Sequence, residues 1–133
     1  MAFAKNAERL GAPELVRQAR QRAVEIRARA FGAKSDLERE CLEAVYAYEE
    51  VLSVKHGKKT QAGRTWPMIK QLGILPAVER IVTRRKETVG YTALAEMGLE
   101  RFAFEAVVLR YPKSFSAEAV ERARERLQAH SAG

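Results

Sequence analysis

Apolar positions along this chain recur every three or four residues, and alternation with period two is hard to find. The clearest repeats predict a run of helices. Leu15, Ala19, Ala23, Ile26 and Ala30 form an apolar seam on a helix from about Pro13 to Phe31. Pro13 suits its first turn and Gly32 its end. A short turn over Phe3 to Leu10 precedes it. Ser35-Asp36-Leu37-Glu38 has the form of a capping box, with Ser35 as N-cap and Glu38 at the third helical position. The helix it opens carries Leu37, Cys41, Val45, Tyr48 and Leu52 on one side. Its acids Glu40, Glu43, Glu49 and Glu50 are expected elsewhere, on a solvated face or beside arginines of the first helix, and Gly57 closes it.

Shorter elements follow. Thr65 to Leu72 predicts a helix capped by Thr65, with Pro67 in the first turn where a missing N–H costs nothing. Gly73 ends it, and a second short helix begins at Pro76 with Val78, Ile81 and Val82 inward. Tyr91 to Met97, bounded by Gly90 and Gly98, predicts another, and Leu99 to Tyr111 one more, closed by Pro112. The last starts after Ser116 and runs to about Gln128, with Ala119, Val120, Ala123 and Leu127 inward.

The expectation is therefore an all-α protein: one compact domain over residues 1–133 with six to seven helices, several of them short. Residues 1–12 and 129–133 are expected to fray, and 57–64 to form a mobile basic loop. Alanine, the commonest residue, agrees with this reading. A chain of 133 residues can bury a core without disulfide staples. Cys41 is the sole cysteine, so neither an intramolecular disulfide nor a cysteine-based metal site can form, and a reducing cytoplasm is the expected location. Charges at Lys5, Glu8 and Arg9 interrupt any secretory leader, and the longest apolar runs are a few residues, far short of the ~20 that span a bilayer.

Charge is where the pattern becomes functionally informative. The net charge is +7, yet residues 55–86 alone carry +8 and the rest of the chain sums to −1. The stretch holds Lys55, Lys58, Lys59, Arg64, Lys70, Arg80, Arg84, Arg85 and Lys86 against the single acid Glu79. Like charges held close repel, so such a concentration points to an anionic partner.

The segment from Gln61 to Arg85 also follows the order of a helix-turn-helix: a short helix, a turn at Leu72-Gly73-Ile74, and a second helix with Val78 and Ile81 inward. On that reading Ala77, Arg80, Thr83 and Arg84 face outward. Arg80 and Arg84 read bases or grip phosphate, while Lys58, Lys59, Arg64 and Lys70 meet the backbone. Ile69 departs from the motif, which wants Ala or Gly where the two helices cross.

Catalytic signatures are lacking. His56-Gly57-Lys58-Lys59-Thr60 resembles the end of a phosphate-binding loop, but Leu52 stands where the motif needs Gly. His56 and His130 are the only histidines, which leaves neither a metal site nor a nucleophilic triad. The expected protein is a non-enzymatic binder of nucleic acid, DNA in preference to RNA, with no metal or other cofactor and no membrane association. Its expected contacts are Lys55, Lys58, Lys59, Arg64, Lys70, Arg80, Thr83, Arg84, Arg85 and Lys86. The alternative is a protein–protein module or small regulatory subunit whose basic face meets an acidic protein; a homodimer is compatible with either.

Overall fold

The computed structural model describes residues 12–84 and 89–132, which form seven α-helices and two 3-10 turns. The helices are α1 (Ala12–Phe31), α2 (Asp36–His56), α3 (Thr65–Leu72), α4 (Ile74–Arg84), α5 (Val89–Glu96), α6 (Phe104–Arg110) and α7 (Ala117–Ala132). All-α architecture is thus what the chain adopts, in one helical domain. The turn expected over Phe3 to Leu10 lies outside the described residues.

Helix α2 is the axis of the fold. The Ser35 hydroxyl accepts the N–H of Glu38 at 3.1 Å, and Gly57 closes the helix in the left-handed region at φ 70°. The Glu38 carboxylate reaches back to the N–H of Lys34 at 3.0 Å, one residue before the usual capping-box partner. Cys41, Leu42, Ala44, Val45 and Ala47 are all buried, because both flanks of α2 are covered. On one side Cys41, Ala44 and Val45 pack with Ile69 of α3, Val78 and Val82 of α4, Val107 and Val108 of α6, and Ala119 and Ala123 of α7. On the other, Ala47 packs with Val24 of α1 and with Leu94, Met97, Leu99 and Phe102 around the end of α5.

Double coverage overturns, for Glu43 and Glu49, the expectation of a solvated face or of pairing with arginines of the first helix. Glu43 and Glu49 are only 5% and 6% exposed. Each is matched, since a buried carboxylate without partners would be strongly disfavoured. Glu43 meets Arg39 at 3.0 Å, and Glu49 accepts two N–H groups from the loop that follows the helix. Glu50 pairs with Arg27 of α1 at 3.2 Å, as the neighbouring charges predict.

Helix α1 turns a different face inward from the one its seam predicts. Val24 and Ala28 are fully buried, whereas Ile26 is 53% exposed and Ala19 and Ala30 also face solvent. The turn after α5 decides this. Gln21 donates to the carbonyl of Gly98 at 2.8 Å, and the stem of Arg17 lies against Gly98, whose φ of 72° suits a residue without Cβ.

Four boundaries also move. Helix α5 begins at Val89, so Gly90 lies inside it instead of bounding it. Helix α4 begins at Ile74, so Pro76 falls inside its first turn instead of opening it. The helix expected over Leu99 to Tyr111 is broken at Ala103, which is extended at ψ 145°. Phe102 packs in the cluster on the α1 side of α2 and Phe104 in the cluster on the α4 side. Helix α7 is capped by Ser116, whose hydroxyl accepts from the Ala119 N–H at 3.0 Å, and it continues past Gln128 to Ala132.

Candidate functional site

The loop between α2 and α3 carries much of the expected basic surface, and α2 fastens it at two points. The Ser53 hydroxyl accepts the N–H of Thr60 at 2.8 Å. Glu49 Oε2 accepts the N–H of Ala62 at 2.8 Å and the indole N–H of Trp66 at 2.6 Å. Trp66 also stacks on Phe31 with ring centroids 5.9 Å apart and meets Tyr46 at 5.2 Å, so its role is that of an anchor. Thr65 does not cap α3 as expected. It is the first helical residue, buried, and its N–H donates to the Ala62 carbonyl at 3.1 Å, as the Trp66 N–H does at 3.3 Å. The cap position falls to Arg64, whose side chain makes no capping bond.

Holding the loop this way brings Arg64 beside α4. Arg64, Arg80 and Arg84 line one cavity of about 480 Å³, within the size range of small-ligand pockets. Its apolar wall is formed by Tyr48 and Leu52 of α2, Met68 of α3 and Ile81 of α4. Among the described residues no carboxylate stands within ion-pair distance of these three arginines. Most arginines elsewhere in the fold are paired, so the cavity concentrates uncompensated positive charge next to apolar surface. Such a place attracts an anion, and its low-dielectric walls strengthen the attraction.

The other expected contacts divide. Lys55 is exposed and continues the row of Tyr48 and Leu52 on α2, at helical spacings of four and three, but does not itself line the cavity. Lys58 and Lys59 are exposed just past the end of α2. Lys70 is exposed on α3 about 170° around the helix from the Thr65–Met68 side that lines the cavity, so it does not join the cluster. Thr83 directs its hydroxyl to the Glu79 carbonyl of its own helix at 2.9 Å. Ala77, expected to face outward on α4, is fully buried because α4 packs against both α2 and α7. Arg85 and Lys86 lie outside the described residues.

The wall residues Tyr48, Leu52, Met68 and Ile81 were not read from the sequence as part of a site. Their apolar spacing identifies them as inward-facing, but the same spacing serves a closed core and an open cavity wall alike.

A second cavity, of about 360 Å³, differs in kind. Glu25, Glu40 and Glu43 line it together with Arg101, Arg110 and Arg39. Each arginine there has a carboxylate: Arg39 meets Glu43 at 3.0 Å, Arg110 meets Glu40 at 2.6 Å, and Arg101 meets Glu25 at 3.4 Å. Tyr111 adds its hydroxyl to Glu40, which raises the tyrosine's pKa. Burial raises the pKa of Glu43, and Arg39 works against that shift. The charges of this cavity balance among themselves, which suits a structural ion-pair network joining α1, α2 and α6. Among the described residues no three His, Cys, Asp or Glu side chains are grouped to hold a metal ion, and no helix is long and apolar enough to cross a membrane.

Comparison with known proteins adds no assignment: the chain matches no protein-family model, no curated protein and no solved structure.

Proposed function

We propose that the protein is a non-enzymatic nucleic-acid binder that seats backbone phosphate among Arg64, Arg80 and Arg84, with Lys55, Lys58 and Lys59 extending the contact along the rim. The convergence of Arg64 with Arg80 and Arg84 carries this reading, because Arg64 comes from a different segment than the two arginines of α4 and no described carboxylate neutralises any of the three. Arginine suits the role, since its planar fork matches phosphate geometry.

DNA is favoured over RNA because Arg80 and Arg84 lie on the second of two consecutive short helices, the order found in helix-turn-helix readers. Gly73 alone joins those helices, a shorter connection than the usual three to four residues. The proposal therefore rests on phosphate contact rather than on base reading by that motif. A reducing cytoplasm remains the proposed location.

The apolar wall beside the arginines favours one competitor, an acidic protein segment that sets a carboxylate on the arginines and an apolar side chain on Tyr48 and Leu52. Titration of a labelled DNA duplex at low and moderate salt separates the two. Binding at about 50 mM salt that weakens steeply by about 200 mM supports the proposal. No duplex binding at about 50 mM, with an acidic protein co-purifying instead, transfers the site to the competitor.

A further inference from the structure

Helix α1 carries two apolar faces, and the fold uses one of them. Val24 and Ala28 are buried against the rest of the domain. Val16, Ala19, Ala23, Ile26 and Ala30 fall on a separate stripe, centred about 140° around the helix. Their spacing of three, four, three and four is that of the a and d positions of a heptad repeat. Val16 is 45% exposed and Ile26 53% exposed, while Ala19 and Ala30 are also exposed.

The edges of the stripe have one sign of charge. Arg20 and Arg27 border one side, and Arg22 and Arg29 the other. Arg27 is matched by Glu50, but among the described residues no carboxylate stands within ion-pair distance of Arg20, Arg22 or Arg29. The helix's own acids lie on its inward side, where Glu14 meets Arg17 at 3.9 Å and Glu25 meets Arg101 at 3.4 Å.

We propose that this stripe docks an acidic amphipathic helix of a partner protein, with apolar residues at heptad spacing and Glu or Asp on both edges. Charge argues against a second copy of α1. Parallel or antiparallel, such a pair would set arginine edge against arginine edge, and like charges across a helix pair are unfavourable. Composition argues against a lipid surface. Three of the five stripe residues are alanine, which brings little apolar area to a bilayer yet lets another helix axis come close. The stripe lies on α1, and none of its residues lines the arginine cavity, so the inference stands apart from the nucleic-acid reading.

A fluorescence-anisotropy titration of the full chain tests it. The probe is a labelled peptide of about three heptads with Leu at a and d and Glu at e and g. Controls are the same peptide with Lys replacing Glu, and vesicles of phosphatidylcholine with or without phosphatidylglycerol. The expected result is saturable binding of the acidic peptide alone. Val16→Ser/Ile26→Ser and Arg22→Glu/Arg29→Glu should each weaken it by about tenfold or more. Circular dichroism should show unchanged helicity, because all four side chains are largely exposed. Failure of the acidic peptide to bind, equal binding of the lysine peptide, or binding to phosphatidylglycerol vesicles alone overturns the proposal. So does a wild-type dimer that Val16→Ser/Ile26→Ser converts to monomer.

Discussion

The indole N–H of Trp66 donates to Glu49 Oε2 across 2.6 Å, and that same oxygen accepts the Ala62 N–H at 2.8 Å. One buried carboxylate on α2 thus fixes both the loop that precedes α3 and the first turn of α3. Arg64 sits between the two anchored residues, so its place at the cavity depends on Glu49 although the two side chains have different tasks. Glu49→Ala should destabilise the protein by roughly 2–4 kcal/mol, because it leaves two N–H donors without their acceptor. Urea unfolding followed by fluorescence of Trp66, the sole tryptophan, measures this. Glu49→Gln keeps one oxygen acceptor and should cost less.

Binding should depend unequally on the basic residues. Arg64→Ala, Arg80→Ala and Arg84→Ala should each weaken nucleic-acid binding and each lower the slope of log K against log salt by about one. Lys70→Ala should leave affinity and slope near wild type, because Lys70 points away from the cavity. Titrations at several salt concentrations report both quantities. An equal effect of Lys70→Ala would show that the whole surface, and not the cavity, holds the ligand.

Glu43 links stability to pH. Burial raises its pKa in the folded protein, and the ion pair with Arg39 only partly opposes this. The fold therefore favours the protonated form, relative to an unfolded chain in which a glutamate titrates near 4.3. That contribution is complete below the unfolded pKa and is lost as pH rises through the raised folded value. Glu43→Gln removes the titration. The stability of wild type relative to the variant should fall as pH rises above the unfolded value of about 4.3, measured from urea midpoints at matched pH.

Cys41 should be chemically silent while the protein is folded. It is fully buried on α2, and burial together with the nearby Glu40 and Glu38 pushes its thiol up to about 12. The thiolate is the reactive form, so Ellman's reagent should find no thiol in native protein and one per chain in denaturant.

Gly98→Ala should loosen the seat of α1. The position has φ 72°, and an added Cβ would come within 2.8 Å of Arg17 Cγ. The left-handed conformation alone costs a residue with a side chain about 1–2 kcal/mol. Displacement of Arg17 would add to this and disturb the Gln21 bond to the Gly98 carbonyl. A fall in Tm of several degrees by circular dichroism is expected.

Helical class, the starts at Ser35 and Ser116, the stop at Gly57 and the concentration of positive charge in residues 55–86 were all determined by the sequence alone. Caps and local charge are set by residues within a few positions of one another, so reading the chain in order recovers them. The apolar seam of α1 was equally legible, and it is real, but its direction was not. Both Val24–Ala28 and Val16–Ile26 offer apolar surface. The turn at Gly98, 77 positions beyond Gln21, decided which of them faces inward.

The buried acids followed the same logic. Glu43 and Glu49 look like surface residues until α2 is enclosed on both sides and Arg39, Ala62 and Trp66 come to meet them. The basic stretch sorted itself only in three dimensions. Arg64 joined Arg80 and Arg84 because Glu49 pins the loop, while Lys70, nearer to Arg64 in sequence, turned away around α3. Sequence settled how much charge the middle of the chain carries. Tertiary packing decided which charges converge, because convergence depends on contacts between segments that local order does not specify.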